Sequence, residues 1–577
     1  MQTRTVGLAT LALWLAAGCT GQIATSNPSD QPAGPNTPSG SGGAGGGPAP
    51  GSGGNGGGPI APPGPAEQPA NCTPSGAGAE ALHARMLSPS QYNNTIEDLL
   101  KVGGQPSRDF GGGNAETQLD DLGVERRATA AANIAKQAAT SMAGWAPCMP
   151  AAGNEDACAD QLIDHLGLRA FRRPLAAADR TQLRALFDAG RKEKDFATGV
   201  EWLLTGILQS PDFLYQFARP ATGEKSGELR AVTGYEMASR LSYFLWDSMP
   251  DEKLFAAAGA TKGLADVASI EKELTRMVDD PRFLRGVTSY YTTWLSLDGF
   301  NELARDDKAF TTELVHALGK SLLMSATELY GQKAPNLSSL LAGESYYLDA
   351  SLRAFYGKTG SQSGSDGFTP TTFGNEKRFG LLTHPALMAQ LARPQKTHPI
   401  NRGLFFRSKL LCQELAPPAG VDIPALPEMP KEGVTTRQEV VDHVRPECAS
   451  CHAMLDPPGL ALEGFDQVGR LRATENGQPV DTSGKMVNAG DLEGDFAKGE
   501  EMLAKVGNSA TVRACFAQQY FQFALVGDVA RHVADADRCA ADGVSKLFAA
   551  SGDLKKLVVA IATSSSFRTR ASEGVGQ

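Results

Sequence analysis

The sequence predicts a mainly α-helical protein of several domains, and three features carry that expectation. Helix-start signatures recur: Ser88-Pro89-Ser90-Gln91, Thr233-Gly234-Tyr235-Glu236 and Thr435-Thr436-Arg437-Gln438 each set a hydroxyl residue three positions before Glu or Gln. At that spacing the two side chains cap each other's backbone N–H groups. Apolar residues recur at helical spacing in GVEWLLTGILQ (199–209) and LVHALGKSLLMSATELY (314–330), whereas alternating strand patterns are scarce. Finally, 577 residues are more than one hydrophobic core can serve.

Along the chain, residues 1–19 read as an export signal. Arg4 is followed by an apolar run from Val6 to Ala17, too short to span a bilayer in a mature protein. Ala16-Ala17-Gly18-Cys19 resembles the lipobox after which a bacterial signal peptidase cuts and Cys19 is acylated. Thr20 after that cysteine resembles the pattern sorted to an outer membrane. The stretch 20–71 is Gly, Pro, Ser, Asn and Ala with almost no large apolar side chain, so burial cannot offset its ordering entropy and it reads as a flexible tether. Helical modules are expected over 80–150, 151–218, 228–357 and 492–570, divided at Pro- and Gly-bearing stretches. A further module over 376–475 contains Pro417, Pro418, Pro424, Pro427 and Pro430, which read as a stiff connector.

The formal charge of −10, from 64 acidic and 54 basic residues spread along the chain, argues against nucleic acid as a partner. Export would let cysteines pair. Of the nine cysteines, setting aside Cys19, Cys448 and Cys451 leaves an even six. Cys148 with Cys158 and Cys515 with Cys539 are the local pairings, which leaves Cys72 with Cys412.

Chemistry concentrates in RPECASCHAMLDPPG. Cys448-Ala449-Ser450-Cys451-His452 has the spacing of a c-type haem attachment site: two thiols add to the vinyl groups of one porphyrin edge while the adjacent imidazole faces the iron. Given the chain's cysteine and histidine content, this pattern is expected by chance only about 0.002 times. A zinc site needs four N or S ligands, and no second Cys-x-x-Cys completes one; a thioredoxin-like dithiol belongs beside a βαβ pattern, which is missing. The expected cofactor is therefore one covalent haem c on Cys448 and Cys451, with His452 as iron ligand. The helix begun at Thr435 or Thr436 should stop at Arg445-Pro446. Asp456-Pro457-Pro458-Gly459 should end the turn that carries the motif, with a loop carbonyl accepting the His452 Nδ1 proton. For the sixth iron position Met486 and His384 are the candidates, with His398 and Met429 weaker; Met454 is too near His452 in sequence. Arg402, Arg470 and Arg472 are candidates to neutralise propionates, and Arg172-Arg173 before Pro174 to pin a helix junction.

RGLFFRSKLLC (402–412), the prolines after it and CASCHAMLDPPGLALEGFDQVGRLR (448–472) together resemble the cytochrome-c-bearing module of the planctomycete and myxobacterial PSD-type proteins. SPSQYNNTIEDLL (88–100), LGLRAFRRPLAAADR (166–180), SPDFLYQ (210–216), TGYEMASRLSYFLWDSMPD (233–251) and GDLKKLVVAIATSSSFRTR (552–570) resemble the other modules of that family in the same order. The resemblance implies export and haem but names no substrate, since those modules are domains of unknown function.

Three functions are compatible with these features. The first is electron transfer by one haem at the cell envelope, with an unidentified redox partner protein and a lipid anchor facing the periplasm or exterior. The second is a haem-dependent oxidoreductase acting on peroxide, oxygen or an extracellular substrate. The third is a surface binding or assembly protein with a structural haem. Whether the chain is an enzyme is left open by its sequence, as is its oligomeric state.

Overall fold

The computed structural model describes residues 85–571, apart from 111–118, 217–228, 262, 360–366, 416–431, 445–447 and 530–536. Cys19, the leader and tether, Cys72, Met429 and the proline-rich connector lie outside the described residues. The molecule is mainly helical and multidomain, and among the described residues the strands form short antiparallel pairs. No described helix is long and apolar enough to cross a membrane.

The first helices gather around a core of their own. α1 (Pro89–Leu100) begins at the expected capping box: Ser88 Oγ accepts from the Gln91 N–H, and the Gln91 side chain accepts from the Ser88 N–H. It packs with α2 (Asp121–Thr140), α3 (Glu155–Phe171), α4 (Ala177–Glu193) and α5 (Phe196–Gln209). Ile96, Leu162, Phe187, Leu203 and Ile207 are fully buried among them. β1 (Arg85–Met86) pairs with β2 (Tyr215–Gln216), so the two ends of this unit meet. Arg173 joins Asp179 at 2.7 Å and Asp212 at 3.1 Å, the expected carboxylate pin. Arg172 instead donates to the carbonyls of Asp212, Phe213 and Tyr215.

A second, larger core runs from Val232 to Phe567 and draws on 228–357, 376–475 and 492–570 together. Its first wall is α6 (Gly234–Trp246), opened by the Thr233–Glu236 capping box, followed by α7 (Val267–Val278), α8 (Phe283–Trp294) and α9 (Thr312–Tyr330). The short α10 (Pro385–Gln390) and α11 (Pro399–Phe405) lead into a π-turn at Phe406–Leu410. Then come α12 (Thr436–His443), again with a capping box at Thr435, and α13 (Ala449–Leu460). α14 (Gly499–Val506), α15 (Ala510–Val526), α16 (Arg538–Ser551) and α17 (Leu554–Thr563) complete the wall. At the centre the Tyr290 ring stacks on Tyr520 with centroids 3.8 Å apart. Among the described residues four further strand pairs edge this body. β3 (Leu229–Ala231) pairs with β10 (Thr569–Ala571), β4 (Tyr346–Leu348) with β5 (Thr369–Thr371), β6 (Thr474–Glu475) with β7 (Gln478–Pro479), and β8 (Gly484–Met486) with β9 (Gly494–Phe496).

Cys148 bonds Cys158 as expected. The other pairings are corrected: Cys515 bonds Cys412, not Cys539, which also removes the Cys72–Cys412 pairing, and Cys539 is itself disulfide-bonded. Arg513 reaches the Ala549 carbonyl and Ser545 the Ala514 carbonyl, so α15 and α16 are antiparallel. Cys515 therefore lies level with Ser545 near the middle of α16, while Cys539 lies at its start, about 9 Å away along the axis at 1.5 Å per residue. Closeness in sequence was the wrong guide across a helical hairpin.

Candidate functional site

Cys448 caps α13, and Cys451 and His452 follow in its first turn. Both thiols are free and half-buried, whereas every other described cysteine is disulfide-bonded. The His452 Nδ1 lies 3.0 Å and 3.1 Å from the two oxygens of Asp456, one helical turn on. This corrects the expected loop carbonyl: the acceptor is a carboxylate on the same helix face, reached at i,i+4. With Nδ1–H donating to Asp456, the neutral ring carries its lone pair on Nε2, the tautomer suited to metal ligation. Both side chains are mostly shielded, at 13% and 16% exposure, so the contact is little screened by water.

The prolines do not end the motif helix. α13 continues through Pro457 and Pro458 to Leu460. Pro458 has no N–H for the Met454 carbonyl four residues back, and the buried Arg407 supplies the missing donor, its Nε lying 2.8 Å from that oxygen. The same guanidinium donates to the carbonyls of Val487 and Asn488 and to Gln413 Oε1. Burial pushes its pKa down to about 10, which still leaves it charged at neutral pH. Arg407 thus ties the π-turn, the motif helix and the strand β8 together. In the sequence Arg407 stands only as one residue of RGLFFRSKLLC (402–412), with no role assigned to it.

Two glycines bring α11 against α13 backbone to backbone. A Cβ on Gly403 would stand 2.0 Å from the Leu455 carbonyl oxygen, and one on Gly459 would stand 2.0 Å from that of Pro399. The pairing of 403 with 455 and 399 with 459 makes the helices antiparallel. His398 consequently sits beyond the far end of α13, about 10 Å or more along the axis from His452, and its Nδ1 accepts the Asn401 N–H at 3.1 Å.

His384 is fully buried, its Nδ1 accepting the Ala386 N–H at 3.2 Å and its Nε2 facing Ser321 Oγ at 3.3 Å. Burial, helped by Arg378, pushes its pKa down to about 3. Both nitrogens are engaged away from α13. Met486 is also buried, at 1% exposure, but stands on β8, whose Gly484 lies against Pro457 of the motif helix. Strand alternation turns Met486 to the same side as Gly484. Asn488 Nδ2 meets Met454 Sδ at 3.9 Å, so β8 runs back along α13 toward His452.

The three arginines expected at propionates have protein partners instead. Arg402 is fully buried and binds the Glu463 carboxylate at 2.8 Å together with the carbonyls of Leu462, Phe465 and Asp466. Arg472 holds the other Glu463 oxygen at 2.8 Å and Glu475 at 3.0 Å. Arg470 pairs with Asp307 at 2.7 Å over the face of Phe355. Glu475 in turn accepts from the Thr436 N–H and hydroxyl at the start of α12. Lys396 and Glu439 form a further buried pair. This network positions α12 and the loop after α13; two arginines sharing a buried carboxylate is a structural arrangement, since either charge alone would be costly there.

No curated protein and no solved structure matches this chain. Three family models do, each describing a protein of unknown function: PSD5 (DUF1595) over residues 158–217, PSD4 (DUF1592) over 232–357 and PSCyt3 (DUF1588) over 378–475. The last spans α10 to α13 and contains Cys448, Cys451 and His452. In their order along one chain, these matches support a multidomain architecture of the PSD type.

Proposed function

We propose that this protein is an exported c-type monohaem carrier that transfers electrons at the cell envelope, anchored by a lipid on Cys19. The observation that carries the reading is the pair of unbonded thiols, three residues apart at the head of one helix, beside an imidazole whose tautomer is fixed by Asp456. Cys448 and Cys451 fit the covalent attachment and His452 Nε2 fits the iron, while Asp456 orients the ring and increases its basicity. A haem so held supplies one-electron exchange. Met486, on the strand that runs along the motif helix, is the proposed sixth ligand in place of His384, and thioether ligation favours the reduced state.

Protein matured with a c-type haem system should give a haem-stained band after denaturing electrophoresis, abolished by Cys448→Ala with Cys451→Ala. The reduced protein should bind carbon monoxide poorly and Met486→Ala should bind it readily. An unstained band after competent maturation would overturn the haem assignment; rapid carbon monoxide binding by the wild type would overturn Met486 as ligand.

A further inference from the structure

The Cys412–Cys515 disulfide is built unlike the one at Cys148–Cys158. Cys412 is exposed and held at φ 53°, in the left-handed region, directly after the π-turn; Cys515 is buried on α15. One turn along α15, the Gln519 amide places Nε2 3.2 Å from Cys412 Sγ and 3.1 Å from Cys515 Sγ. Its orientation is fixed, because the buried Trp294 indole N–H donates to Gln519 Oε1 at 2.6 Å. Cys412 is therefore the exposed partner of the bond, and the Gln519 amide, whose Nε2 also donates to the Ser408 carbonyl at 2.9 Å, is held against both sulfurs.

We propose that Cys412–Cys515 is a thiol–disulfide exchange site for an external dithiol, coupled mechanically to the motif helix. A thiolate of the dithiol attacks Cys412 Sγ. The S–S bond breaks, and its electron pair departs on Cys515 Sγ, where the Gln519 N–H stabilises the thiolate until it takes a proton. The second thiol of the reagent then attacks the mixed disulfide and releases Cys412, so that the protein gains two electrons and two protons and the reagent becomes a disulfide. The coupling follows from position. Gln413, next to Cys412, donates to the Asn488 carbonyl at 2.7 Å and accepts from Arg407, whose Nε holds the Met454 carbonyl. Releasing Cys412 frees the end of the π-turn that positions Arg407.

This inference does not rest on haem. Full-length protein would be treated with graded dithiothreitol, quenched by alkylation and mapped by mass spectrometry, with hydrogen exchange followed in parallel. Cys412 and Cys515 should be reduced about tenfold faster than Cys148 and Cys158, as expected of an accessible bond with a stabilised leaving group. Exchange should then increase in α13 and remain unchanged in α5. Gln519→Glu, which sets a negative charge over the sulfurs, should slow reduction of this bond by about fivefold or more and leave Cys148–Cys158 unaffected. Reduction of Cys148–Cys158 first, or no effect of Gln519→Glu, would overturn the exchange site. Unchanged exchange in α13 after full reduction would overturn the coupling.

Discussion

His384 and His398 do a job normally given to Ser, Thr, Asp or Asn: each ring accepts a backbone N–H at the start of a short helix, His398 Nδ1 from Asn401 at 3.1 Å. Only a neutral imidazole can accept there. Burial, with Arg393, Lys396 and Arg402 nearby, pushes the His398 pKa down from 6.5 to about 4. Unfolding below pH 6.5 therefore takes up a proton, so this stability is fully present above pH 6.5 and is lost as pH falls toward 4. Asp247 works in the opposite sense. Burial raises its pKa from 3.8 to about 6, so stability falls as pH rises through that interval. Comparing His398→Asn with wild type cancels the Asp247 contribution. The variant keeps a cap acceptor, and urea titrations at pH 7 and pH 4.5 should show it losing less stability on acidification, by on the order of 2 kcal/mol. An equal loss in both proteins would refute the assignment. Both caps were announced in the sequence by His-Pro pairs, proline being favoured at the first helical position, yet there His384 read as one candidate for the sixth iron position and His398 as a weaker one. Cys448, Cys451 and His452 stood out in the sequence by their spacing, and the structure gathers them at the head of α13 with both thiols unbonded. Asp456 was hidden in plain view, four residues from His452 on one helix face.

Among elements, α13 shows why a proline-rich string can be misjudged. Local rules stop a helix at Asp456-Pro457-Pro458-Gly459, because the prolines withdraw donors; the fold restores one from Arg407, about 50 residues earlier. No local reading reveals a donor that arrives from another element. The three capping boxes needed no such help, since all their partners lie within four residues, and they start helices where the sequence placed them. The α11–α13 contact tests this dependence. Gly403→Ala drives a methyl into the Leu455 carbonyl, a backbone atom that cannot rotate aside, and should cost about 3 kcal/mol in urea unfolding. Gly433→Ala would not be a fair control, because φ is 72° there; Gly543→Ala, in open space on α16, should cost nothing or stabilise slightly. Equal effects of Gly403→Ala and Gly543→Ala would refute the close packing.

At the scale of the molecule, helical class and the order of segments were legible because both are recorded in local patterns. The sharing of one core by residues from 232 to 567 was not, since it depends on which apolar faces meet. The C-terminal strand makes the point. Phe567 is buried at 1% exposure beside Phe244, β10 pairs with β3, and Arg240 donates to the carbonyls of Phe567 and Thr569. Deleting residues 565–577 should loosen α6 and α15 in hydrogen exchange while α1 to α5, with their own core, keep their protection. Loosening of both regions alike would show that the two cores do not open separately. The pairing of β3 with β10 also bears on the order of synthesis. At about 5–20 residues per second, the first core can close once its last contributors, Tyr243 and Met249, are made. The second must wait for Phe567, some 300 residues and tens of seconds later. Throughout that interval the apolar faces of α6 to α9 lack their final partners, so a newly made chain needs protection from aggregation longest in its middle, not at its ends.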